Sequence, residues 1–147
     1  NRERMIKEIQ NILAYSGDVF LWENTVEGLF SGRNPEWFEK IVKPLNLPII
    51  FDISHSFISH NGDNEKLMDD LEALVPYIQY FHVVDSIGTE HDGLSLGKGK
   101  INWGPIIPYL KGKPYIYEVL LEDMNDAEEM AISHEYLQYL AKELKLL

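Results

Sequence analysis

Residues 48–55, PIIFDISH, contain a short apolar run that ends in an aspartate, with a histidine three positions further on. Apolar runs of four to eight residues are typical of strands that are buried on both faces, as in a parallel sheet. We therefore predict a strand over Pro48–Ile53. Three further runs along the chain have the same character, and helical patterns separate all four.

The other three predicted strands are about 19–25 (VFLWENT), 78–84 (IQYFHVV) and 114–120 (PYIYEVL). Apolar residues at helical spacing predict helices over about 2–15, 34–45, 63–77, 103–110 and 125–146. Strands that alternate with helices in this way predict an α/β fold with a parallel sheet of four βα units. An open doubly wound sheet and half of a barrel both fit this periodicity. We expect one domain over residues 1–147.

The composition excludes several classes of function. The 13 Lys and Arg against 24 Asp and Glu give a formal net charge of −11, which opposes binding to nucleic acid or to an anionic membrane surface. There is no cysteine, which excludes disulfides and thiolate metal ligands. No apolar run reaches the ~20 residues of a membrane helix, and the N-terminal stretch has no apolar signal core. We expect a cytoplasmic location.

Each predicted strand carries an acidic or imidazole side chain near its C-terminal end: Glu23, Asp52, His82 and Glu118. Ligands bind at this end of the strands in parallel α/β folds. One charged residue at a strand end usually marks only the exit of the chain into solvent. Four of them on four consecutive strands predict a common site.

The ligand chemistry of these four residues suits a divalent cation. Two Glu, one Asp and one His match Mn²⁺, Mg²⁺, Co²⁺ or Zn²⁺ with open positions for water or substrate. His55 lies three residues after Asp52 and is predicted to contact a metal-bound substrate or to donate a hydrogen bond to a metal ligand. Asp85 is expected to orient His82 or a substrate hydroxyl, and His91 is a candidate substrate contact in the following loop.

Five short motifs give the chain a resemblance to the xylose isomerase-like barrels, the superfamily of sugar isomerases and epimerases and of AP endonuclease family 2 domains. They are WENT at 22–25, FDISH at 51–55, FHVVD at 81–85, LGKGKINW at 96–103 and YE at 117–118. The resemblance covers nearly the whole chain, aligned with the second half of that barrel. It implies that the four βα units form the C-terminal half of a (β/α)₈ barrel.

The resemblance also implies roles for individual residues. It implies that Glu23, Asp52, His82 and Glu118 bind the metal and that His55 touches substrate or a second metal. The DNA-repair members carry an Asp-x-His pair just before the G-x-G turn, which binds a third zinc. This chain has His91-Asp92-Gly93 there instead. The missing or displaced pair favours the sugar enzymes over DNA repair.

The function expected from this resemblance is a metal-dependent sugar or sugar phosphate isomerase or epimerase. Glu23 and Glu118 would bind the metal and also transfer protons through an enediolate. The alternatives are an AP endonuclease-like hydrolase of phosphodiesters and an inactive half-barrel that needs its N-terminal half. The expected partner is a small sugar, with neither nucleic acid nor membrane. Because a half-barrel has two open sheet edges and an uncovered apolar face, we also expect a homo-oligomer or association with the missing half.

Overall fold

The computed structural model describes residues 2–17 and 19–146, so both ends of the predicted 1–147 domain and residue 18 lie outside the described residues. The helices are α1 (Arg2–Ser16), α2 (Pro35–Trp37), α3 (Lys43–Leu45), α4 (Ile53–Ser59), α5 (Asn64–Leu74), α6 (Ile107–Leu110) and α7 (Glu128–Glu143). The strands are β1 (Trp22–Glu23), β2 (Ile49–Asp52), β3 (Ile78–Val83) and β4 (Tyr115–Tyr117). No helix within the described residues combines the length and the apolar character needed to cross a membrane.

The four strands form one parallel sheet in the order β1-β2-β3-β4, which confirms the predicted α/β class and the four parallel βα units. Asp52 is the register partner of His82, and Val83 pairs with Tyr117, one residue before Glu118. The C-terminal ends of the strands therefore meet at one edge of the sheet. Strands β1 and β4 are the two outer strands.

Most of the hydrophobic core lies between one face of the sheet and the helices. Phe51 and Phe81 are fully buried on this face, and their rings meet edge to face with centroids 6.2 Å apart. Helix α5 contributes the buried side chains Leu67, Leu71 and Leu74, at the spacing expected of an amphipathic helix. The side chains that alternate with these along the strands point to the other face of the sheet. Ile116 is exposed to 44% on that face.

Two helical features are not among the predicted elements. Helix α4 follows β2 directly, and six of its seven residues are buried, so its sequence has no amphipathic period. The predicted helix up to about Leu45 is interrupted by a π-helical turn at Phe38–Val42. Pro44 has no N–H to donate within the helix, and the N–H of Lys43 bonds to the carbonyl of Phe38, five residues back.

The outer strands are shorter than predicted. Strand β1 has two residues and β4 has three, against seven predicted for each. An outer strand has a partner on one side only, so its ladder ends as soon as that partner leaves the sheet. Strand β2 ends at Asp52 because α4 begins at the next residue.

Candidate metal centre

The structure brings Glu23, Asp52, His82 and Glu118 together at the C-terminal edge of the sheet. One ligand atom from each of the four side chains lies within 4.8 Å of those of the others. Glu23 and Asp52 end their strands, His82 lies one residue before the end of β3, and Glu118 follows β4. This is the single cluster of three or more potential metal ligands within residues 2–17 and 19–146.

The two carboxylate oxygens of Asp52 have different contacts. Oδ1 accepts hydrogen bonds from the Ser54 hydroxyl and from the backbone N–H of His55, both at 2.8 Å, and so caps the N-terminus of α4. Oδ2 is directed toward the cluster and lies 3.7 Å from His82 Nδ1 and 3.7 Å from His55 Nε2. These distances are too long for hydrogen bonds. The side chain is completely buried.

His82 lies among the three carboxylates. Its Nδ1 is 2.9 Å from Glu118 Oε2 and 3.3 Å from Glu23 Oε1. Burial alone would lower the pKa of His82, but the charges of Asp52, Glu118 and Glu23 outweigh it and raise that pKa. Burial also acts against the charged form of Asp52, yet His82 and His55 and the hydrogen bonds to Oδ1 lower its pKa.

Glu118 differs from Asp52 in both exposure and acidity. Its side chain is 50% exposed. Partial burial raises the pKa of Glu118, and the carboxylates of Asp52 and Glu23 add to the increase against the opposing effect of His82. Glu118 thus holds a proton more readily than an isolated glutamate does.

The donor set fits a divalent cation. Asp52 Oδ2 and His82 Nδ1 are buried and have no hydrogen-bond partner, although Glu118 is close to Nδ1, because its direction of approach does not suit the ring N–H. Unpaired buried polar atoms are costly and rare in proteins. Three carboxylates at such short range also repel one another. A cation coordinated by one atom from each side chain would give the buried atoms a partner and would reduce the repulsion between the carboxylates. Carboxylate oxygens together with an imidazole nitrogen are suitable ligands for Mn²⁺, Co²⁺, Mg²⁺ or Zn²⁺.

His55 lies beside the cluster. Its Nδ1 donates to the backbone carbonyl of Asn24 at 2.7 Å and lies 3.3 Å from Glu23 Oε1. Because a carbonyl can only accept, this bond places the proton of the neutral ring on Nδ1. Nε2 is then an acceptor on the side of Asp52. The predicted role of His55 next to a substrate or a metal stays a prediction, which this position favours.

His91 is exposed, and its ring meets that of His55 edge to face with centroids 4.3 Å apart. The loop after β3 therefore brings a second imidazole beside the cluster. Its predicted contact with substrate stays a prediction, which this position favours.

Asp85 differs from the other predicted site residues because both of its carboxylate oxygens already accept hydrogen bonds. It is buried, and its carboxylate accepts four hydrogen bonds within its own loop region. Oδ1 accepts from the N–H groups of Ser86 and Ile101, and Oδ2 accepts from Gly97 N–H and from the Trp103 indole. Both oxygens are thus occupied, so these contacts favour a structural role for Asp85 over the predicted orientation of His82 or a substrate hydroxyl.

Asn24 is a buried residue of this region that was not among the predicted site residues. Its carboxamide bonds to both backbone groups of Asp52, and its backbone carbonyl bonds to His55. The only hint in the sequence is its place directly after Glu23 at a strand end, where an asparagine usually indicates a turn.

Comparison with known proteins identifies a family that agrees with the observed fold. The model of the xylose isomerase-like TIM barrel family matches residues 2–142. Two uncharacterized proteins of Methanocaldococcus jannaschii, MJ1614 and MJ1311, are each 31% identical to this chain, over 102 and 113 residues. These matches cover 68% and 73% of this chain and 38% of each relative, so the chain corresponds to well under two thirds of their length.

Two solved structures share the fold. A D-tagatose 3-epimerase-like protein superposes with a TM-score of 0.67 at 24% identity, covering 95% of this chain and 54% of that protein. The TTHB071 protein from Thermus thermophilus, soaked with ZnCl₂, superposes with a TM-score of 0.59 at 20% identity, covering 97% and 57%. The four parallel βα units thus have the fold of part of a (β/α)₈ barrel. The chain belongs to the xylose isomerase-like TIM barrel family.

Proposed function

We propose that this chain supplies the metal-binding βα units of a divalent-metal-dependent isomerase or epimerase that acts on a sugar or a sugar phosphate. The observation that carries the proposal is the pair of buried, unpartnered atoms, Asp52 Oδ2 and His82 Nδ1, among three carboxylates at the C-terminal edge of a parallel sheet. Family membership and the structural neighbour described as D-tagatose 3-epimerase-like support the sugar chemistry.

The four residues of the cluster would hold the cation, with Asp52 and His82 as ligands only. A bound divalent ion would polarise the carbonyl of a ketose or aldose and stabilise negative charge on its oxygen. Asp52 is completely buried and bonded through Oδ1, so it cannot also reach a substrate carbon. His82 Nδ1 lies within 3.7 Å of an oxygen of each of the three carboxylates.

Glu23 and Glu118 are the proposed proton-transfer groups. They lie at the C-terminal ends of the two outer strands, and their side chains are 34% and 50% exposed, so solvent and a substrate have access to both. One carboxylate removes the proton α to the carbonyl to give an enediolate, and a proton returns to the neighbouring carbon in isomerisation or to the opposite face in epimerisation. The raised pKa of Glu118 suits it to carry that proton.

His55 and His91 would complete the substrate side of the site. Nε2 of His55 is an acceptor for a sugar hydroxyl, and the exposed ring of His91 packs against the His55 ring. Asp85 has no part in this proposal because its carboxylate is bonded within its loop region. A small sugar is the expected partner. The net charge of −11 does not favour nucleic acid.

The test measures the exchange of hydrogen for deuterium at the carbon next to the sugar carbonyl. The reaction is run in D₂O with Mn²⁺, Co²⁺ or Zn²⁺ added, and proton NMR detects the exchange. The substrates are a panel of ketoses that includes D-tagatose, because a D-tagatose 3-epimerase-like protein shares this fold. We expect exchange in the wild type and a loss of about 10²- to 10⁴-fold in Glu118→Gln. Glu122→Gln, at an exposed glutamate four residues away, is the matched control and should exchange like the wild type.

Two additional assays, cleavage of abasic-site DNA and binding of Mn²⁺, distinguish the two alternatives. Cleavage of abasic-site DNA without sugar exchange would favour phosphodiester hydrolysis by the same ligands over isomerisation. Mn²⁺ binding with neither reaction would indicate that these four βα units need further barrel strands for activity. Unchanged exchange in Glu118→Gln would contradict the proposed proton transfer.

A further inference from the structure

At the end of strand β1, a side chain replaces the backbone in the hydrogen bonds to β2. The backbone ladder between them is regular up to residue 24: Trp22 N–H donates to the Pro48 carbonyl at 2.9 Å, and Asn24 N–H donates to the Ile50 carbonyl at 3.4 Å. The next bond of a regular parallel ladder would join the Asp52 N–H to the backbone carbonyl of Asn24. Here the Asn24 side chain makes that bond instead. Oδ1 accepts from the Asp52 N–H at 2.7 Å.

The other half of the Asn24 carboxamide completes the replacement. Nδ2 donates to the backbone carbonyl of Asp52 at 2.9 Å, where a further residue of β1 would otherwise donate. The carboxamide thus supplies one acceptor and one donor, in place of a backbone carbonyl and a backbone N–H from two successive peptide groups of β1. Asn24 is 1% exposed and Asp52 is fully buried, so solvent does not have ready access to these bonds.

The replacement releases the backbone carbonyl of Asn24 from the sheet. That carbonyl accepts the Nδ1–H of His55 at 2.7 Å. One residue therefore fixes both the backbone of a cluster aspartate and the ring of a neighbouring histidine. Asparagine suits this position because an aspartate lacks the donor, and a serine has one oxygen in place of two separate groups.

We propose that Asn24 is a positioning residue of the metal centre. Its carboxamide takes over one acceptor and one donor position of the β1–β2 ladder and holds Asp52 in place, and its released carbonyl holds His55 with the proton on Nδ1. The consequence for metal binding rests on the proposed function, whereas the hydrogen-bond arrangement does not. The first part of the test therefore uses metal-free protein.

The first measurement needs no substitution. By amide exchange NMR of the metal-free wild type, the side-chain carboxamide protons of Asn24 should exchange at least about tenfold more slowly than those of Asn125, which is exposed. Equal exchange rates would overturn the proposal. This comparison decides the point even if variants at position 24 fail to fold.

The second measurement uses Asn24→Ala in metal-free protein. Without the carboxamide, the Asp52 N–H and His55 Nδ1–H compete for the backbone carbonyl of residue 24. Either the Asp52 amide loses about tenfold in exchange protection, or the ¹⁵N shifts of His55 show loss of the Nδ1–H tautomer. No change in either would overturn the proposal. Ser133→Ala, which removes a buried hydroxyl bonded to Leu96 N–H and the Glu129 carbonyl, should change neither.

The third measurement is the dissociation constant of Mn²⁺ by calorimetry. Asn24→Ala should raise it about 10- to 100-fold, whereas Ser133→Ala should leave it within about twofold. An unchanged constant in Asn24→Ala, together with altered NMR signals, would mean a purely structural role and would overturn the positioning role. If the wild type binds no Mn²⁺, the proposed function fails. The NMR measurements then still decide whether Asn24 holds Asp52 and His55.

Discussion

Replacement of Asp52 separates its two oxygens experimentally, because asparagine and alanine remove different parts of the side chain. Asp52→Asn keeps an oxygen at the Oδ1 position, which caps α4, and removes the charge from the cluster. Asp52→Ala removes the cap as well. Both variants lose the anionic ligand, so neither should bind Mn²⁺. The difference in stability between them, measured without metal, isolates the cap.

The size of that difference follows from the bonds that Oδ1 accepts. Loss of an N-cap costs about 1 kcal/mol. Loss of the acceptor for the buried Ser54 hydroxyl costs about 1 kcal/mol more. Asparagine and aspartate are nearly equivalent as caps. Asp52→Ala should therefore be less stable than Asp52→Asn by about 2 kcal/mol, which corresponds to a Tm lower by about 4–8 °C for a chain of this size.

Thermal unfolding followed by circular dichroism measures both effects. In EDTA the two variants should differ by the interval above. With Mn²⁺ at a hundred times its wild-type dissociation constant, the wild type should gain about 2.7 kcal/mol, and neither variant should gain anything. A wild-type gain in Asp52→Asn would refute the assignment of Oδ2 as a ligand. Equal Tm values for the two variants in EDTA would refute the capping role of Oδ1.

Four further outcomes are expected. Because the pKa of His82 is raised, protons compete with the cation for this side chain, and the Mn²⁺ dissociation constant should increase as the pH falls through that pKa. Calorimetric titrations between about pH 8 and pH 5 measure this, and a dissociation constant that does not change with pH would contradict it. In metal-free protein the same shift stabilises the fold below the unperturbed value of 6.5, and this stability should be lost as the pH rises through the folded pKa, as urea unfolding at several pH values can measure. Asp85→Asn should lower the free energy of unfolding by about 1–3 kcal/mol, because an amide NH₂ would face N–H donors, while calorimetry should find Mn²⁺ binding unchanged. Because β1 and β4 are open edges, sedimentation velocity should detect a dimer or larger assembly, and a stable monomer at all concentrations would count against it.

The sheet and the four cluster residues could be predicted from sequence because they depend on simple periodic patterns. Apolar runs separated by helical segments determine parallel strands, and parallel strands bring their C-terminal ends to one edge. Glu23, Asp52, His82 and Glu118 each fall at that edge. The prediction requires no knowledge of loops, since the sheet register alone aligns Asp52 with His82.

The features that were not predicted depend on groups that a sequence pattern does not display. Helix α4 is buried on nearly all sides, so it lacks the apolar stripe by which helices are usually found. Asp85 follows a strand just as a metal ligand would. Only the positions of the Gly97, Ile101 and Trp103 donors reveal that its oxygens are occupied. The early end of β1 likewise depends on a side chain, Asn24, taking over hydrogen bonds that strand prediction assigns to backbone.

The loop after β3 has a consequence for the kinetics of ligand binding. Asp85 binds this loop through four donors, and an isolated pair of backbone bonds joins Asp85 to Leu94 across it. Gly99 approaches so closely that a Cβ there would overlap the Asp85 carboxylate. These contacts hold both ends of the segment that carries His91 in place without any ligand. For a ligand that binds as proposed beside His55 and His91, we therefore expect association without a slow closure of this loop and with little loss of conformational entropy in the chain.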